Sequence, residues 1–315
     1  MSYLLELFVS LSKNILKRHL SILMPCAILL TVCNTTNSNR LPAPAEIVMH
    51  PFEAVVVGTI HKSHLIEPSY TLSVLAELIE SYKPDLVLVE IRPEPFRRGH
   101  YEDGPFEMTY VTWLSRNMGI SVAPIDWFRD KDIGRTIEPD PFEKNALDKE
   151  INAAQTRIEG PIGFEIVHSK QRKAAQLSIL NIQARYLGGN AIWSQRQAWF
   201  NHQSIEAIRN RGSRRVMAFL GTIHSVELEA YLWGQGASIR NPPSIPLTKL
   251  EKAEVPEPVI QLWREGIVRM KTEAGRSTGK KAKALINKAN YFQIAVDRRG
   301  RCCAEQAAFD ALEVK

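Results

Sequence analysis

Four polar residues that could do chemistry each come at the end of a predicted strand: His61, Glu90, Asp126 and His224. Two imidazoles and a carboxylate are the ligand set of many catalytic zinc, manganese or cobalt sites that keep one position open for water. A metal held in this way lowers the pKa of its water and polarises a carbonyl group. The residue types therefore predict a site for a divalent metal (Mn, Co or Zn), with His61, Glu90 and His224 as its ligands.

The same residues also permit a reaction without a metal. One histidine could then act as the general base with Glu90 orienting it, while Arg92 or Arg97 stabilises an oxyanion. Asp126 belongs either to this site or to a helix cap, because aspartate after a strand often caps a helix. His64 is expected in the loop, either supporting the site or facing solvent.

Both site histidines belong to a repeated tetrapeptide, Gly-Thr-Ile-His, at residues 58–61 and 221–224. Each copy ends an apolar strand and precedes a helical segment, so each histidine is expected at the carboxyl edge of the sheet, where α/β folds place their ligands. Glycine lets the chain leave the strand sharply and keeps the loop backbone open to a ligand. The matched pair of loops, rather than either histidine alone, favours one shared site.

Strands and helices alternate around these residues. Short apolar runs rich in β-branched residues predict strands over residues 53–58, 85–90, 120–126 and 214–221. Apolar residues at helical spacing predict helices over residues 69–82, 106–118 and about 226–233. This order predicts an α/β fold with a mainly parallel sheet flanked by helices, a helical insertion and a helical C-terminal tail.

The chain divides into four predicted parts. An export segment at 1–33 and a linker at 34–50 precede an α/β domain at 51–250, whose helical insertion covers about 140–212. A basic helical tail follows at 251–315, interrupted at residues 275–279. The Gly-rich stretch of that interruption resembles a phosphate loop but lacks the preceding strand and the spacing between glycines, so we do not interpret it as one.

The N-terminus is typical of an exported protein. Lys13, Lys17 and Arg18 precede an apolar run at 20–32, which has the length of a signal-peptide core and is short for a bilayer span. Cys33 follows in a context similar to a bacterial lipobox, although Val32 stands where the motif has a small residue. We predict a periplasmic or envelope protein, lipid-modified at Cys33 or held by an uncleaved anchor.

Cysteine and charge distribution exclude several classes. The four cysteines are Cys26, Cys33, Cys302 and Cys303, so the domain can hold neither a zinc ribbon nor a disulfide framework. Cys302 and Cys303 are expected as free thiols or in an intermolecular bond. The formal charge of +6 belongs to the two ends of the chain, and the basic runs at 280–283 and 298–301 are interpreted as solvated helix faces. Their attraction to anionic lipid is the alternative, and nucleic acid is not expected as a partner.

The motifs resemble those of the TraB/PrgY/GumN and TIKI superfamily, with the erythromycin-esterase-like hydrolases as distant relatives. The resemblance covers roughly residues 54–233 and rests on the two Gly-x-x-His loops and on Lys83-Pro-Asp-Leu-Val-Leu-Val-Glu90. It implies a hydrolase, in some members a metal-dependent peptidase, with His61, Glu90 and His224 as ligands or catalytic groups. The arginine that the family places beyond this glutamate corresponds best to Arg97 or Arg98, and its Arg-Asn pair to Arg196 and Asn201.

Three functions remain open from the sequence. The first is an exported hydrolase of a peptide or ester bond. The second is a non-catalytic envelope protein that binds or sequesters a peptide or a small ligand in the same cleft. The third is a structural envelope protein. Convergence of His61, Glu90 and His224 in the fold is the observation expected to separate the first two from the third.

Overall fold

The computed structural model describes residues 50–133, 143–155, 163–186, 191–245 and 254–303. The predicted export segment, almost all of the predicted linker and the helix break at residues 187–190 lie outside the described residues. In the part of the chain that is described, no helix is both long and apolar enough to cross a membrane.

Five strands form one parallel sheet, which confirms the predicted α/β fold. In chain order they are β1 (Glu53–Thr59), β2 (Leu86–Val89), β3 (Ser121–Pro124), β4 (Arg215–Gly221) and β5 (Ser238–Arg240). Their order across the sheet is β3-β2-β4-β1-β5. The sequence analysis missed β5, because three partly exposed residues at a sheet edge carry almost no apolar pattern.

Ten α-helices are found among the described residues. They are α1 (Leu72–Tyr82), α2 (Pro93–Arg97), α3 (Phe106–Asn117), α4 (Lys144–Gln155), α5 (Phe164–Val167), α6 (Lys170–Tyr186), α7 (Ala191–Arg211), α8 (Thr222–Gly234), α9 (Glu257–Gly275) and α10 (Gly279–Asp297). The helical insertion and the helical C-terminal segment are therefore present as predicted. Helix α8 begins at Thr222, directly after β4, so His224 lies in its first helical turn and not in a loop before it.

Both faces of the sheet are covered, which explains why the strands read as continuous apolar runs. Val55 and Val57 of β1 pack in one core with α1, α3, α9 and α10. Ala54 and Val56, which alternate with them, pack in a second core with α7 and α8. Because alternate residues of a strand point to opposite faces, one short strand serves both cores.

The C-terminal helices share the first of these cores. Trp263 of α9 is fully buried, and its Nε1 donates a hydrogen bond to the backbone oxygen of Phe106 at 3.0 Å. Lys280 and Lys283 of α10 are exposed, in agreement with the prediction for that run. Contrary to expectation, Cys302 and Cys303 form a disulfide with each other.

The register of the strands brings the two repeated loops together. Strand β4 lies between β1 and β2, with Thr59 opposite Gly221 and Val89 opposite Phe219. The carboxyl ends of β1, β2 and β4 therefore meet at one edge, where Glu90 directly follows β2. This edge of the sheet positions the candidate site.

Candidate functional site

A cavity of about 380 Å³ opens at this edge of the sheet. Three of the residues predicted for a site, His61, Glu90 and Asp126, line it, together with Arg196 of α7. Helix α10 supplies the opposite wall through Lys288, Tyr291 and Phe292. His61, Glu90 and Asp126 are far apart in the chain and meet at this cavity, whereas His224, the fourth residue predicted for the site, does not line it.

Glu90 is held at the centre of this group. Its side chain is buried, with Oε2 accepting from the backbone N–H of Gly221 at 2.6 Å and Oε1 accepting from Nη2 of Arg196 at 2.9 Å. Burial raises the pKa of Glu90, and the charges of Arg196 and His61 offset only part of that rise. A carboxyl group in these surroundings takes up a proton more readily than glutamate in water.

Arg196 joins Glu90 to Asp126. Its Nε and Nη2 donate to Oδ1 and Oδ2 of Asp126, both at 2.7 Å, which is the bidentate geometry of a strong ion pair. Burial acts to lower the pKa of Arg196, but the two carboxylates outweigh it and hold the pKa above its ordinary value. Asp126 is therefore part of this site, and the guanidinium carries a permanent positive charge there.

The other arginines considered from the sequence do not meet Glu90. Arg92 binds Asp103 and Asp130 instead, with Nη2 to Oδ1 of Asp103 at 2.7 Å. Arg97 is exposed at the end of α2 and lines neither of the two cavities described here, which corrects its prediction as a catalytic group. Helix α2 starts at Pro93 and buries Phe96, so that its last residue faces outward.

His61 opens onto the cavity from the first turn after β1. Its Nδ1 lies 2.8 Å from Oε1 of Glu107, a carboxylate that is fully buried in α3, while its own side chain is 42% exposed. Burial lowers the pKa of His61, but the carboxylates of Glu107 and Glu90 outweigh this and raise it to about 9. The ring is therefore an imidazolium at neutral pH, with Nδ1–H donated to Glu107 and Nε2–H left for a ligand.

His224 lies behind the cavity rather than in its wall. It is buried, its ring stacks on Trp193 at 4.2 Å between centroids, and its Nδ1 lies 3.0 Å from Oε1 of Gln197. Burial lowers the pKa of His224 well below its usual value, as do the charges of Arg196 and His61. The neutral ring therefore donates its Nδ1 proton to Gln197.

This arrangement does not fit a metal ion shared by His61, Glu90 and His224. His224 is packed against Trp193 and does not line the cavity, and Arg196 brings a positive charge directly against Glu90. Within the described ranges, no three His, Cys, Asp or Glu side chains are grouped closely enough to hold a metal. The positive charge of Arg196 occupies the place between the carboxylates.

Two further histidines support the loop that carries His61. The backbone N–H of Gly58 donates to Nε2 of His168 at 3.1 Å, and that of Ile60 donates to Nε2 of His64 at 3.3 Å. Nδ1 of each ring bonds a backbone oxygen, of Phe164 in one case and Tyr70 in the other. Burial lowers the pKa of both rings to about 4, so both are neutral acceptors.

Sequence reasoning missed Glu107, Gln197 and the role of His168. Glu107 is an acidic residue between apolar residues in a predicted helix, a weak signal for a buried carboxylate. No pattern distinguishes Gln197 or His168 from other polar residues in the helical insertion. Their roles depend on which helix turn meets the sheet edge, and that depends on tertiary packing.

A larger cavity of about 1110 Å³ adjoins the smaller one. The two share Asp103, Phe128, Arg196 and Lys288 in their walls. Glu227, one turn after His224 on α8, also lines the larger cavity, and burial raises its pKa to about 7. The joined volume can accommodate a ligand larger than a typical metabolite.

Comparison with known proteins gives no assignment, since no family model, curated protein or solved structure matches the chain. The class of protein is therefore defined by the fold and the site alone. It is a parallel α/β protein with an acid–base cluster at the carboxyl edge of its sheet.

Proposed function

We propose that this protein is a hydrolase of a peptide or ester bond and that the reaction takes place in the smaller cavity. The observation that carries the proposal is the His61–Glu107 pair, which opens onto the cavity lined by Glu90 and Arg196. A histidine oriented by a buried carboxylate beside a second carboxylate and a cation is a common arrangement for acid–base chemistry. The resemblance of the motifs to the TraB and TIKI superfamily points to the same reaction class.

The groups divide into complementary roles. Glu90, whose pKa is raised, accepts a proton from the attacking water. The guanidinium of Arg196 and the imidazolium of His61 stabilise the negative oxygen that forms on the carbonyl carbon. When the bond to the leaving group breaks, His61 donates its Nε2 proton to that group, and Glu107 stabilises the charged form of the ring until then.

Metal dependence stays a prediction of the residue types and of the resemblance of the motifs. The residues present do not surround an ion in this arrangement, so each step above uses the side chains of the protein alone. Export to the cell envelope likewise stays a prediction from residues 1–33, and it would place the reaction outside the cytoplasm.

A substrate screen tests the proposal. The purified domain is assayed with p-nitrophenyl esters of graded chain length and with a fluorogenic peptide library, each with EDTA and with added manganese, cobalt or zinc. We expect turnover that persists in EDTA and that is lost in Glu90→Gln. Peptide binding without turnover under every metal condition would favour the non-catalytic binding protein instead.

A further inference from the structure

Lys288 stands where the two cavities join. It lies in the middle of α10 and lines both the 380 Å³ and the 1110 Å³ cavity. Its side chain is partly buried, and its Nζ donates one hydrogen bond, to the backbone oxygen of Asp103 at 2.6 Å. An ammonium group has three N–H donors, so two of them are available to a ligand.

No carboxylate of the described residues forms an ion pair with Lys288, because those nearby are already bound by arginines. Asp103 is held by Arg92 and Glu102 by Arg269, each at 2.7 Å. Glu90 and Asp126 are held by Arg196. These carboxylates are thus oriented towards arginines rather than towards the ammonium group of Lys288.

Lys288 differs from the cations Arg196 and His61 of the same cavity, because no ion pair among the described residues neutralises it. Arg196 is paired with Glu90 and Asp126, and His61 is paired with Glu107. Burial lowers the pKa of Lys288, and the surrounding carboxylates offset this only in part, as expected for an ammonium group that lacks a close counter-ion.

We propose that Lys288 binds a carboxylate group of the ligand at the junction of the two cavities. A carboxylate supplies the counter-ion that Lys288 lacks among the described residues, and it offers two oxygens to the two available N–H donors. Since Lys288 and His61 line the same small cavity, the carboxylate lies close to the bond that is hydrolysed. The substrate class is then an ester or amide that carries a carboxylate near its scissile bond. This substrate class rests on the proposed hydrolase activity, whereas the binding of a carboxylate by Lys288 is independent of it.

Binding of a matched pair of compounds tests the inference. Isothermal titration is performed with monomethyl succinate, which is a monoanion, and with its neutral amide, methyl succinamate. We expect the wild-type protein to bind monomethyl succinate at least about 10-fold more tightly than methyl succinamate, because only the monoanion forms a charge-assisted hydrogen bond with Lys288. Lys288→Met is expected to remove this preference, and Lys288→Arg to keep part of it. Lys283→Met, on the exposed side of the same helix, is the control and is expected to bind as wild type does.

Two results would overturn the inference. The first is equal affinity of wild type for the two compounds, or no binding of either. The second is a preference for the monoanion that survives in a folded Lys288→Met protein, as judged by its circular dichroism and melting temperature. Methanol release from the same two esters is measured in parallel. A preference for the monoanion without methanol release would support the role of Lys288 while counting against the hydrolase.

Discussion

Gly221 has no space around it for a side chain, and this, rather than its backbone conformation, explains why a glycine stands there. Its φ of −52° and ψ of 143° are accessible to any residue. A Cβ atom at this position, however, would lie 2.6 Å from Nε2 of His61 and 3.5 Å from Oε2 of Glu90. The equivalent glycine of the first repeat, Gly58, would place a Cβ 3.0 Å from Oγ of Ser225. Each glycine of the repeat therefore gives space to the residues at or next to the other copy: His61 in the case of Gly221, and Thr222 and Ser225 in the case of Gly58.

We expect Gly221→Ala to displace His61 and to lower the free energy of unfolding by about 1–3 kcal/mol, the usual cost of overpacking. Urea unfolding measures the change. Gly275→Ala is the matched control, because a Cβ there meets no atom within 4 Å. That control should leave stability unchanged or raise it slightly. A Gly221→Ala protein as stable as the control would show that His61 and Gly221 are not in close contact.

At this scale the sequence predicted the residue types of the site better than their partners. His61, Glu90, Asp126 and Arg196 line one cavity because three of them follow strands whose ends must meet. The partner of His61 could not be predicted, because Glu107 reaches it from a helix face whose rotation depends on tertiary packing. His224 follows the neighbouring strand β4, but its ring is stacked on Trp193, which strand order alone cannot reveal.

The loop after β1 depends on two neutral histidines from elsewhere in the fold. His168 accepts from Gly58 near the end of β1 and His64 accepts from Ile60 just after it, so the backbone is held on both sides of the point where the loop begins. Protonation of either ring would remove the acceptor. Because the pKa of each falls from the usual 6.5 to about 4, the unfolded chain binds more protons than the folded chain between these pH values.

The free energy of unfolding should therefore fall as the pH falls from 6.5 to 4. Each such histidine contributes up to about 1.4 kcal/mol per pH unit. His168→Gln keeps an acceptor for Gly58 but cannot titrate, so its stability should decrease less over this range than that of wild type. Urea unfolding at pH 7, 5.5 and 4.5 measures the difference, with His202→Gln at an exposed position as the control. Parallel curves for wild type and His168→Gln would contradict the assignment.

Among the elements, long periodic segments were predicted and short ones were not. Helix α3 and strands β1 and β4 fall where apolar spacing placed them, because their burial sets that spacing. Strand β5 and helix α2 were missed, since three to five residues at an edge or a turn carry too little pattern. The start of α8 was placed four residues too late, because Thr222 and Ile223 read as a loop in the repeat.

At the scale of the whole molecule, the C-terminal helices complete the α/β core. The sequence predicted that this segment is helical, but an apolar helix face does not identify the surface that it covers. In the structure α9 and α10 pack on the same core as α1 and α3, and α10 also walls the site. The segment predicted as a basic helical tail at 251–315 thus contributes to the same core and to the wall of the candidate site.

We expect Trp263→Ala to reduce the free energy of unfolding by about 3–5 kcal/mol, because it leaves a large cavity in that core. The hydrogen bond to the backbone of Phe106 is lost as well. Chemical denaturation followed by circular dichroism measures the change. Val268→Ala on the same helix, at a side chain that is 64% exposed, is expected to have little effect. Similar small losses in both variants would mean that α9 contributes little to the core.

The central claim is that the cluster at the sheet edge performs hydrolysis, and the turnover number of Glu90→Gln tests it most directly. The substitution keeps the shape of the side chain but removes its charge and its ability to take a proton from water. On the best substrate of the screen we predict a fall of about 100-fold or more, with the melting temperature recorded alongside. Glu94→Gln, at an exposed position on α2, should retain the wild-type turnover number. A folded Glu90→Gln protein that turns over substrate as fast as wild type would contradict the account.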